Sequence, residues 1–187
     1  VRLRVRVRVR VHVCVRVRPL LDFELRRGDE EVASVPPEGP SGAVHAMVGA
    51  PSGKTMLQRF GFDRSFGPAM TQEELWASSG VSQLVDAALG GYRCTVFAYG
   101  QTGSGKTFTM SGNEADLSSR NEAHLVENGL APSDGLVPRA LTHMYARVRA
   151  RAAASGESVV VRASYCEVYN EHVYDLLVPG DALPVRW

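Results

Sequence analysis

Apolar positions fall in two rhythms along this chain, and each rhythm predicts a kind of element. From Val11 to Val17 valines alternate with polar residues, the pattern of a half-buried strand, and Pro19 ends it. Thr95 to Tyr99 is a short apolar run, and Val159 to Tyr169 a longer one that enters Asn170-Glu171. Both read as strands. Helical spacing first emerges at Val81, Leu84, Val85 and Ala88, downstream of Thr71-Gln72-Glu73-Glu74. That tetrad is a capping box, so one helix is predicted from it to the stop at Gly90-Gly91. A second stripe, Leu141, Met144, Tyr145 and Val148, predicts a helix with Pro138 in its first turn, Arg147, Arg149 and Arg151 on its solvated face and Ser155-Gly156 at its end.

The stretches between these elements are punctuated for turns. Leu21 to Phe60 reads as loops and short hairpin strands, broken at Pro36-Pro37, Gly39-Pro40 and Ser52-Gly53. Ser111 to Asp134 is polar, holds Gly112, Gly129 and Pro132, and is expected to be a long loop.

Chemistry concentrates at Cys94 to Met110, CTVFAYGQTGSGKTFTM. Gly100, Gly105, Lys106 and Thr107 fit the phosphate-loop template, in which a strand passes through a Gly-rich turn into a helix. The apolar run before the loop meets that requirement. Gly100, Gly103 and Gly105 allow a backbone with positive φ whose N–H groups approach phosphate oxygens, and a helix starting near Lys106 would add its dipole. Lys106 is the candidate for the β- and γ-phosphates, and the Thr107 hydroxyl for the accompanying Mg²⁺. Gln101, Thr102 and Ser104 complete the nucleotide-binding loop. Only two lysines occur in the chain, and one holds this position. The other, Lys54, lies in GAPSGKT at Gly49 to Thr55, which has three residues between its glycines and a proline without an N–H. This second stretch reads as a hairpin turn.

Composition narrows the class. With 187 residues and 44% hydrophobic content, the chain suffices for one globular domain. Its apolar runs are too short for a membrane span, and no signal-peptide layout opens it. Cys14, Cys94 and Cys166 are odd in number and far apart, so buried reduced thiols are expected, not disulfides. The net charge of +1 conceals seven arginines in residues 1–18, which leaves 14 basic residues against 20 acidic ones downstream. A basic arm raises the possibility of nucleic acid or an acidic polymer surface as partner. VRLRVRVRVR is low in complexity, however, and Val1 to Arg18 fully extended would make a strand of about 60 Å, several times the usual length. Residues 1–10 are therefore read as a Val/Arg arm outside the domain, with no nucleic-acid partner, and 11–187 as the domain.

The stretch GYRCTVFAYGQTGSGKTFTMSG at Gly91 to Gly112 resembles the nucleotide loop of kinesin motor domains. Four further blocks follow that family's order: VCVRVRPL at Val13 to Leu20, FGFDRSF at Phe60 to Phe66, GLVPRAL at Gly135 to Leu141, and SYCEVYNEHVYDLL at Ser164 to Leu177. The resemblance implies an α/β fold, a three-layer sandwich with a mixed central sheet of the phosphate-loop NTPase type. It also implies that roughly the first half of a motor domain is present, so the sheet is expected to be incomplete. By resemblance, Arg16 and Pro19 are candidate contacts for the adenine ring, and Phe108 stands where the family carries a ring that packs on the base or fills the core.

The implied function is the ATP-binding part of a microtubule motor, with ATP and Mg²⁺ as ligands, in the cytoplasm on the microtubule cytoskeleton. Microtubule contact is expected through the other half of the domain. Neither switch motif of the family occurs; Ser118-Ser119-Arg120 mimics one in the wrong order. Residues 1–187 alone are therefore expected to be inactive as an ATPase, since a phosphate cradle without a positioned water does not complete phosphoryl transfer. Two other classes stay open. One is a non-catalytic nucleotide-binding or tubulin-tethering fragment; the other is an unrelated phosphate-loop GTPase, against which the lack of an Asn-Lys-x-Asp base reader speaks. Glu167 and Glu171 have no partner base and read as structural. Oligomeric state is not legible.

Overall fold

A strand at Cys14–Arg16 (β1) runs parallel to a strand at Arg64–Phe66 (β5), in the register Cys14 to Arg64, Val15 to Ser65 and Arg16 to Phe66. Two hydrogen bonds hold the entry to this pair. Val13 N donates to the Asp63 carboxylate at 2.7 Å, and Asp63 N donates to the Val13 carbonyl at 2.9 Å. The computed structural model describes residues 10–36, 42–49, 54–113, 129–156 and 158–178. The first nine residues of the Val/Arg arm, the turn dipeptides at Pro37, Gly39-Pro40 and Ser52-Gly53, and Ser118-Ser119-Arg120 lie outside them.

The chain divides into two units, Val1–Arg147 and Val148–Trp187. In the first, β1 leads into a short helix at Asp22–Arg27 (α1) closed by Gly28 in the left-handed conformation. This corrects the expectation of loop and strand alone after Leu21. The helix is made by local polar contacts: Glu24 reaches back to the Leu21 N–H at 2.8 Å, and acids in its first turn and arginines in its last suit the helix dipole. A three-stranded antiparallel sheet follows, in the order Ala33–Ser34 (β2), Ala43–Gly49 (β3) and Thr55–Gly61 (β4). Gly49 pairs with Thr55, so the Gly49 to Thr55 stretch does join a hairpin.

The predicted helix after the capping box is two helices. Gln72–Ser79 (α2) starts at Thr71, whose hydroxyl accepts from Glu74 N at 3.2 Å while Glu74 accepts from Thr71 N at 2.9 Å. It ends at Gly80, whose φ of 84° breaks the ladder, and Val81–Leu89 (α3) begins anew. The split lets Leu75 and Val81 face one cluster with Phe66 and Leu136, flanked by Met70, Trp76, Met110 and Ala140. Pro138 lies in the first turn of the helix at Leu136–Ser155 (α5), which carries the chain into the second unit. Among the described residues between α3 and α5 lies one short helix, Lys106–Met110 (α4).

Thr95 to Tyr99 forms no ladder among the described residues, and Phe97 is 79% and Tyr99 94% exposed. Its strand-like sequence is thus matched by an uncovered segment, with an apolar hollow lined by α3, Val96 and α5 beside it. The three cysteines are free, as expected, but exposed, contrary to the expected burial, because among the described residues too little packs over their segments to bury them. No helix among the described residues is long and apolar enough to cross a membrane.

In the second unit, Cys166–Tyr169 (β6) and His172–Asp175 (β7) form an antiparallel hairpin. Asn170 and Glu171 at its turn have φ of 48° and 63°, the left-handed pair that matches the twist of a two-residue hairpin. The predicted strand from Val159 narrows to β6; Val159 to Tyr165 forms no ladder among the described residues.

Candidate functional site

The glycines of the phosphate loop adopt the predicted backbone. Gly103 and Gly105 have φ of 79° and 92°, values that strain any residue with a Cβ. Gly100 is tight for a different reason, since a Cβ there would stand 2.5 Å from Ser104 Oγ. The turn is closed by Ser104 N donating to the Gln101 carbonyl at 3.2 Å. Gln101, Thr102 and Thr107 are exposed, and Ser104 and Lys106 half-buried.

Lys106 folds back over this turn. Its Nζ donates to the Gly100 and Gln101 carbonyls, each at 2.9 Å. No carboxylate pairs with it among the described residues, so a half-buried cation is held inside a loop by neutral oxygens alone. A phosphate group is a stronger acceptor for an ammonium than a carbonyl, and the donor set fits it. Helix α4 spans only Lys106–Met110, so the backbone turn and Lys106 carry more of the anion preference than a long helix dipole would.

Arg16 and Phe108 are brought together. The guanidinium carbon of Arg16 lies 5.3 Å from the centroid of the Phe108 ring, within the range of a cation–π contact. Arg16 also donates to Gln72 Oε1 at 3.0 Å, Thr109 Oγ1 at 3.1 Å and the Met70 carbonyl at 3.2 Å. Burial pushes its pKa down from the usual guanidinium value. Pro19 is exposed, and its carbonyl accepts from Arg18 Nη1 at 2.8 Å.

Four residues here were not singled out by sequence reasoning: Arg18, Glu24, Gln72 as a buried bridge, and Thr109. Arg18 donates from Nε to the Gly103 carbonyl at 2.9 Å, bracing the loop from the strand side. Its place between Arg16 and Pro19 in the block VCVRVRPL was a signal for it, hidden by the arginines upstream. Gln72, 3% exposed, was read only as part of a capping box. Nothing in the sequence flagged Glu24 or Thr109.

Backbone contacts join the end of α4 to the residues that lead into α5. Gly112 bridges Asp134, and Gly135 N donates to the Ser111 carbonyl at 3.2 Å. Asp134 is 1% exposed, and Arg139 Nε donates to its carbonyl at 2.8 Å, fixing the start of α5. On α5, Arg147 is exposed, as expected of that face, and its Nε lies 3.0 Å from the Asp86 carboxylate, beside His143 Nε2 at 3.1 Å.

Known proteins resemble this chain over most of its length. The kinesin motor domain family model matches residues 16–186. The kinesin-like protein Klp61F of Drosophila melanogaster is 41% identical over 175 residues, covering 92% of this chain and 15% of its own length. Among solved structures, a fast kinesin is 27% identical with a TM-score of 0.69, covering 94% of this chain and 43% of that one. Drosophila NOD, in a structure complexed to the microtubule, is 28% identical with a TM-score of 0.66, covering 92% of this chain and 50% of that one. The chain therefore spans half or less of each relative. A family match over nearly all of it, a relative above 40% identity and a shared backbone path converge, and the chain belongs to the kinesin motor domain family.

Proposed function

We propose that this chain is the ATP-binding portion of a microtubule motor, in a protein that couples ATP hydrolysis to movement along microtubules in the cytoplasm. The carrying observation is Lys106: a half-buried ammonium with no acidic partner among the described residues, set in a loop whose Gly103 and Gly105 are left-handed. In this reading Gly100, Gln101, Thr102, Gly103, Ser104 and Gly105 wrap the phosphates, and Lys106 leaves its two carbonyls for the terminal phosphate oxygens. The Thr107 hydroxyl holds Mg²⁺, which would neutralise phosphate charge. Arg16, Pro19 and Phe108 form the side that meets the adenine ring. The microtubule partner is supported by kinship with kinesins, one of them solved on the microtubule. Residues 1–10 lie outside the domain in this reading.

Binding and turnover separate. The groups named here hold phosphates, whereas hydrolysis also needs an oriented water and further charge stabilisation. The test is Lys106→Ala in the complete protein, with ATP affinity by calorimetry. Losing one charged contact to phosphate is expected to weaken binding roughly tenfold to a hundredfold, or about 1.5–3 kcal/mol. Unchanged affinity refutes the assignment. Tight binding to nucleotide and microtubules by the unmodified protein without turnover would make it a tether, not a motor.

A further inference from the structure

Gln72 sits where three elements meet: the end of β1, the start of α2 and helix α4. The residue is 3% exposed, and both ends of its amide are used. Nε2 donates to the Phe108 carbonyl at 2.6 Å, and Oε1 accepts from Arg16 Nη1 at 3.0 Å. The chemistry of the two neighbours leaves one orientation, because a carbonyl only accepts and a guanidinium only donates. Leucine or methionine could serve neither partner, and glutamate or lysine only one. The position of the amide is set by sequence, since the Thr71 cap fixes α2 to begin at Gln72.

Arg16 and Phe108 are the two residues that Gln72 joins, while Arg16 is also held by Thr109 and the Met70 carbonyl. It touches the Arg16 guanidinium directly and the Phe108 backbone directly, and the Arg16 carbon stands 5.3 Å from the Phe108 ring centroid. The phosphate cradle is held by other contacts. Lys106 reaches Gly100 and Gln101, and Arg18 reaches Gly103, none of them through Gln72.

We propose that Gln72 is a positioning residue for the base side of the nucleotide site: it sets the pose of Arg16 against Phe108, and hence the share of affinity that depends on adenine, without acting on the phosphates. This rests on the reading of Arg16 and Phe108 as base contacts. A residue of this role separates two ligands that share a chain of three phosphates, of which only one carries adenosine, namely MgATP and Mg-tripolyphosphate.

The experiment is calorimetric titration of the complete protein and its Gln72→Met, Gln72→Glu and Arg16→Ala variants with those two ligands. Gln72→Glu keeps the volume and the acceptor for Arg16, and removes the bond to the Phe108 carbonyl, so it tests the bridge where the methionine variant fails to fold. Both Gln72 variants are expected to weaken ATP roughly fivefold to tenfold and to leave tripolyphosphate within about twofold. Equal weakening of both ligands overturns the proposal, because Gln72 then supports the cradle. ATP affinity unchanged in both Gln72 variants, with a loss in Arg16→Ala, overturns it while the base reading stands. No change in the ratio of the two affinities in Arg16→Ala removes the base reading, and this inference with it.

Discussion

Arg18 grips the Glu24 carboxylate with both terminal nitrogens, at 2.7 and 2.6 Å, while its Nε holds the Gly103 carbonyl at 2.9 Å. One planar side chain thus ties the turn of the phosphate loop to the first turn of α1. Lysine carries the charge but lacks the fork, so it cannot meet both partners. Arg18→Lys is expected to weaken ATP by about threefold to tenfold, the loss of one preorganising hydrogen bond. Amide exchange at Gly103 to Gly105 should rise in the same variant; unchanged exchange would show that the loop holds its shape unaided.

The same pair sets a pH dependence. Arg18 first, and then the Leu21 N–H, hold the Glu24 carboxyl down from 4.5 to about 2. A carboxyl with a depressed folded value stabilises the fold fully above its unfolded value, and that contribution is lost as pH falls through the folded one. The Arg18–Glu24 contribution is therefore complete above about pH 4.5 and disappears toward pH 2. Carboxyl NMR titration should move the Glu24 value up toward the ordinary one in Arg18→Ala, with the Leu21 N–H still holding it below.

Two glycines separate steric from conformational cost. A Cβ at Gly135 would stand 2.6 Å from the Met110 carbonyl oxygen and 2.7 Å from Gly112 N. Gly135→Ala should cost about 1–3 kcal/mol by overpacking. Gly28 has φ of 83° and open space around it, so Gly28→Ala should cost about 1 kcal/mol from backbone strain alone. Urea midpoints of the two variants measure the contrast.

At the start of α2, Thr71→Ala removes the acceptor for Glu74 N and is expected to cost about 1 kcal/mol. Leu75→Ala, in the buried cluster, should cost about 2–5 kcal/mol. Asp86→Ala, which breaks the exposed contacts to His143 and Arg147, should stay below about 1 kcal/mol. Thermal melts that rank the three otherwise would show that the weight of the fold lies elsewhere.

The sequence by itself determined the local chemistry. Four fixed residues of the phosphate loop, the Thr71 and Glu74 cap and the helix with Pro138 in its first turn are short-range patterns, and each is written in neighbouring residues. Tertiary structure decided what those patterns face. The single helix predicted after Thr71 divides at Gly80 because Leu75 and Val81 both pack on Phe66 and Leu136, a demand that no local periodicity carries. Gln72 became a bridge, and Arg18 a brace, only when strand β1 came beside the phosphate loop, across 56 and 85 residues of chain. Thr95 to Tyr99 shows the reverse case: its residues suit a strand, but a strand's hydrogen bonds need partners, and it has no ladder among the described residues.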